Sequence, residues 1–92
     1  MSEPQEEHIL RVGAGSSPQS VASAIAHAIY ESNSVRLRAV GAGAVNQAVK
    51  AIAIASGYTA PRGISLACIP GFATVKSNGE DISAMTFKVY AV

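Results

Sequence analysis

The chain contains no tryptophan, one cysteine and only five aromatic side chains: Tyr30, Tyr58, Phe72, Phe87 and Tyr90. A lone cysteine excludes an internal disulfide framework, and Cys68, set in an apolar segment, reads as a buried and inert thiol. Charged residues are also scarce, at 14% of the chain. No apolar run approaches the roughly 18 residues of a membrane span, and the first seven residues are acidic, unlike the basic start of a secretory signal. A soluble, cytoplasmic protein with no membrane partner is therefore expected. Histidine is limited to His8 and His27, neither with an acidic residue at metal-ligand spacing. Ser16 and Ser17 have no evident base, and Glu80-Asp81 beside Asn78-Gly79 reads as turn chemistry. Enzymatic activity, a metal and a cofactor are accordingly not expected.

What the chain does have is aliphatic side chains, with 49% hydrophobic residues over 92 positions. That suffices for one core built from Ala, Val, Ile and Leu, and a chain this short gains from burying further surface in a dimer. The net charge of +1 conceals an uneven distribution. Glu3, Glu6 and Glu7 fall in residues 1–7, whereas residues 8–92 carry seven Lys or Arg against Glu31, Glu80 and Asp81, leaving +4. A flexible acidic arm, 1–7, is expected to precede a single basic domain, 8–92. The arm either is a solvated tail or competes with nucleic acid for the basic body.

Hydrophobic period and punctuation predict the order β-α-β-α-β-β. Residues 8–12 alternate as a strand, Ser17-Pro18 supplies an N-cap and a proline at the first helical position, and a helix follows to about Ser32. Its core stripe is Val21, Ala22, Ile25, Ala26 and Ile29. Asn33-Ser34 ends it, and residues 35–40 form a second strand with Val35, Leu37 and Ala39 inward. The Gly41 segment opens a second helix that Gly57 is expected to stop. At about 100° per residue, Val45, Ala48, Val49 and Ile52 share one face of it and Gly43, Gln47, Lys50 and Ile54 the other. Residues 58–63 read as a loop, 64–69 as a third strand with a bulge or bend at Pro70-Gly71, and a hairpin through 77–79 leads to a last strand over 82–90. In that strand Met85, Phe87 and Val89 face the core. If both helices cover one sheet face, strands one and two pair in parallel and the third lies beyond its hairpin partner.

Two surfaces in this arrangement suit phosphate. Strand alternation places Arg11, Arg36, Arg38, Lys88 and Tyr90 on the sheet face away from the helices, as a platform for phosphates and bases. The same cations would also keep a surface strand soluble and block edge pairing. The second surface is the glycine-opened helix start, where the Gly43 amide region lies at the positive end of the helix dipole and would hold a phosphate together with Asn46, Gln47 and Lys50. Small residues there equally permit close approach of a second helix, and Ile54 on that otherwise polar face is the candidate for a dimer interface. The missing third glycine and the absence of an acidic residue about 20 positions on argue against a dinucleotide site, and the lack of Gly-Lys-Ser/Thr argues more plainly against a Walker loop.

Three strings occur in order: VGAGSSPQSVASAIAHAI at 12–29, GAGAVNQAVKAIAIASGY at 41–58 and PRGISLACIPGF at 61–72. Together they closely resemble the stage V sporulation protein S family, a group of small Alba-like proteins, from about residue 10 to 89. The resemblance implies a two-layer α/β fold with a four-stranded mixed sheet and two helices on one face, a homodimer, and nucleic-acid binding by kinship with Alba. Alba-like proteins use basic residues in the first loop, here residues 13–17, to reach DNA. Members of the sporulation family commonly carry a lysine just before the Ser-Ser or Ser-Pro segment, where this chain has Gly15. That departure removes one phosphate contact, leaving Ser16, Ser17 and the free amides to cradle an anion. Two further readings stand beside nucleic-acid binding: a protein-interaction module that assembles oligomers, and a small-ligand sensor using the glycine-opened helix.

Overall fold

A computed structural model of the chain describes residues 9–92, so the expected arm 1–7 and His8 lie outside the described residues. The elements run β1 (Ile9–Val12), α1 (Pro18–Ser32), β2 (Ser34–Ala39), α2 (Ala42–Thr59), a 3-10 turn (Ala60–Arg62), β3 (Leu66–Ser77) and β4 (Glu80–Ala91). The sheet order is β1-β2-β4-β3, with β1 and β2 parallel and the other pairings antiparallel. Both helices therefore lie on one side of a mixed four-stranded sheet, in an α+β arrangement with the expected element order.

Local chemistry accounts for α1. Ser17 is the N-cap, its Oγ accepting from the Ser20 N–H at 3.3 Å, with Pro18 opening the helix; Asn33 closes it in the left-handed region at φ 64°. Ala22, Ile25, Ala26, Ala28 and Ile29 are buried, and Val21 packs at the margin of the core. Beneath them lie Val12, Val35, Leu37, Ala39, Phe87 and Val89 from the sheet. Replacing Ser17 by alanine removes the cap and is expected to cost about 1 kcal/mol. Calorimetry should read this as a fall in melting temperature of about 5 °C.

The second helix departs from expectation in two ways. Its buried face is Ala44, Ala48, Ala51, Ala55 and Thr59, not the Val45-Ala48-Val49-Ile52 stripe; Val49 is 50% exposed, while Val45 and Ile52 only border the core. Small side chains let α2 lie close to α1 and the sheet, so alanines rather than the larger aliphatics take the interior. Nor does Gly57 stop the helix. The glycine lies exposed within it, and the turn beyond is anchored by Thr59, fully buried, whose hydroxyl donates to the Ile64 carbonyl at 3.0 Å. The Tyr30 hydroxyl also donates to the Tyr58 carbonyl at 3.4 Å, and the Arg62 guanidinium lies 4.2 Å from the Tyr30 ring centroid. The expected loop at 58–63 is thus helical up to Arg62, and Gly63, at φ 75°, ends it.

The β3-β4 hairpin is longer and more regular than expected. β3 begins at Leu66 and its register with β4 is unbroken from Leu66↔Ala91 to Ser77↔Glu80, with no bulge at Pro70-Gly71. Because β3 is an edge strand, the missing N–H of Pro70 is tolerated. Gly71 is explained by contact: a Cβ there would sit 3.1 Å from Thr86 Oγ1 on the paired strand. Asn78 and Gly79, both at positive φ, form the two-residue turn. Cys68 is exposed on β3 rather than buried, since the helices do not extend over this edge. Partial desolvation nevertheless raises its pKa, which favours the thiol over the reactive thiolate at neutral pH.

Candidate functional site

The carboxyl ends of β1 and β2 lead into the two helices, so the first loop, both helix N-termini and one end of the arginine-bearing strands meet at the same end of the molecule. In the loop, Ser16 Oγ accepts from the Gly13 N–H at 2.9 Å and the Ser16 N–H donates to the Gly13 carbonyl at 3.1 Å. Ser17 caps α1 and its hydroxyl donates to Gln19 Oε1 at 3.3 Å. Gln47 Nε2 donates to the Ser16 carbonyl at 2.9 Å. A side chain at Gly43 would meet Ala14 Cβ at 3.1 Å, so this glycine allows the loop to pack on the first turn of α2. Ser16, Ser17, Gly43 and Gln47 are thereby joined in one loop-helix junction. Asn46 and Lys50 stand apart from it, both exposed.

The strand cations are brought together on the other side. Val35, Leu37, Phe87 and Val89 turn toward the helices, so Arg36, Arg38 and Lys88 turn away from them. Register places Arg11 beside Arg38 and Arg36 beside Lys88 on adjacent strands, with backbones about 4.8 Å apart. Tyr90 lies on the same face, opposite Ser34. Among the described residues of β1, β2 and the segment of β4 paired with β2, no carboxylate interrupts this group. Arg11 and Arg38, like charges opposite each other on neighbouring strands, repel, an arrangement that an anion over the face would relieve.

The hairpin partly covers one end of this face. Val75 and Lys76 line the same cleft as Arg11 and Arg38, although β4 separates β3 from β2 in the sheet, so the ribbon curls over the arginine side. Gly71, Ala73, Ala84 and Thr86, small residues paired along its concave side, make room for that curl. This contribution of the hairpin was not legible in the alternation of single strands, since it depends on how far a long two-stranded ribbon twists.

His27 is exposed, with Nε2 3.3 Å from Glu31 Oε1 one turn on, and Lys76 pairs with Asp81 at 2.8 Å across the hairpin. Among the described residues no group of three or more His, Cys, Asp or Glu side chains is placed to hold a metal ion. No helix among them is long and apolar enough to cross a membrane.

A small α+β domain with two helices on one face of a four-stranded mixed sheet is also the fold of a solved Alba protein. Alba from Thermoplasma volcanium matches 91% of this chain and 98% of its own at a TM-score of 0.60, with 14% sequence identity, a likeness of fold. Residues 8–92 match the stage V sporulation protein S (SpoVS) family, and the chain belongs to that family.

Proposed function

We propose that this protein binds nucleic acid through phosphates, as a cytoplasmic homodimer with a regulatory rather than an enzymatic role. The observation that carries the reading is the pairing of Arg11 with Arg38 and of Arg36 with Lys88 on the sheet face away from the helices. A stripe of cations on adjacent strands, with Arg11 directly beside Arg38, suits the phosphates of a polyanion. Lys50 and Asn46, exposed on α2, offer a second, separate contact for phosphate, while Ser16, Ser17, Gly43 and Gln47 hold the first loop against the start of α2. Ile54, partly buried beside the alanine stripe, is the proposed dimer contact.

Mobility-shift titrations of duplex DNA, single-stranded DNA and RNA at several salt concentrations test this. Binding that weakens steeply and log-linearly with salt is the expected result. No shift with any of the three at low salt would overturn it. A second reading, an interaction module that assembles oligomers, is favoured by the apolar edge strand: Phe72 is 81% and Ile69 54% exposed on β3. Sedimentation showing assemblies larger than a dimer, without nucleic-acid binding, would select that reading.

A further inference from the structure

The cleft between the hairpin and the sheet has a different chemistry from an open platform. Its volume is about 410 Å³, and it is lined by Arg11, Arg38 and Lys76 together with Val12, Val40 and Val75. That size falls in the range of small-molecule sites, whose walls are typically apolar with a few placed polar groups. Among the described residues none of the lining side chains is a carboxylate. Arg38, one of the lining residues, has its Nε buried with no hydrogen-bond partner among the described residues. A buried cationic donor without an acceptor is costly, and a shift of the Arg38 side chain toward a ligand oxygen in the cleft would satisfy it. Lys76 is held by Asp81, but that pair is largely exposed and therefore weak, so the lysine is able to turn toward an anion at small cost.

We infer that this cleft is a binding site for a phosphate monoester, with Arg38 and Arg11 on the phosphoryl oxygens, Lys76 closing from the hairpin, and Val40 and Val75 against the organic part of the ligand. A monoester carries close to two negative charges and terminal oxygens suited to a guanidinium fork. A phosphodiester carries one charge and must also thread its chain out of the cleft in both directions. The inference deepens the phosphate-binding reading of the sheet face and adds to it a cleft of which the hairpin is one wall. A free nucleotide and the phosphorylated end of a nucleic-acid strand present the same group.

The test is titration of the full chain with AMP, adenosine, and a short single-stranded oligonucleotide with and without a 5′-phosphate, followed by calorimetry and by amide chemical shifts. Two variants accompany it. Arg38→Gln removes the buried donor, and Val75→Trp fills the cleft while leaving every charge in place. Saturable binding of AMP but not of adenosine, weakened about tenfold or more by each variant, is the expected result for a free nucleotide. A gain in affinity that requires the 5′-phosphate of the oligonucleotide and is lost in both variants, without AMP binding, assigns the cleft to strand ends. The inference is overturned if neither monoester saturates at millimolar concentration, if adenosine binds as AMP does, or if folded Val75→Trp binds as the parent does. Mobility shifts of long duplex DNA report separately on the wider face, so loss of one result leaves the other standing.

Discussion

Replacing Arg36 and Arg38 together by glutamine is expected to weaken duplex DNA binding roughly a hundredfold at about 50 mM salt and to reduce the salt slope by about two units. Each cation that neutralises a phosphate releases condensed counterions, and the double substitution takes two such cations from one stripe. Both residues alternate with Val35, Leu37 and Ala39, which are buried, so the substitution leaves the core untouched. The melting temperature of the double variant should therefore stay close to that of the parent. A folded variant with unaltered affinity and slope would exclude this face. If Lys50→Ala alone then lowered the slope by about one unit, the Lys50 face of α2 would be the phosphate-binding surface.

Enlarging the alanine stripe is expected to have the largest effect on stability. Ala51 is fully buried in α2, and leucine there has no space between α2, α1 and the sheet. Overpacking of this kind costs about 1–3 kcal/mol, which should lower the melting temperature by roughly 5–20 °C. Val49→Gln, at a half-exposed position two residues earlier, should change stability by less than about 0.5 kcal/mol. Thermal unfolding of the two variants under the same conditions decides between the faces. A stable Ala51→Leu beside a destabilised Val49→Gln would mean that α2 buries its larger aliphatics after all.

Much of this protein is determined locally and could be read from the residues in order. The Ser17-Pro18 start of α1, its end at Asn33, the alternation in β2 and the Asn78-Gly79 turn each depend on a few neighbouring residues, and each lies where the sequence places it. The parallel pairing of β1 with β2 followed from chain connectivity and the handedness of crossovers. Four things required the tertiary structure. Hydropathy ranks Val49 above Ala51, but the narrow gap between helices and sheet admits only the smaller residue, and this decides which face of α2 is buried. Gly57 reads as a stop, yet the buried Thr59 and the Tyr30 contact carry the helix past it. Cys68 lies in an apolar run, but at an edge that no helix covers. Finally, Arg11 and Arg38 are 27 residues from one another, and Lys76 lies farther still along the chain. Only the sheet register and the curl of the hairpin place them around one cleft, because like charges distant in sequence carry no local signal of their approach.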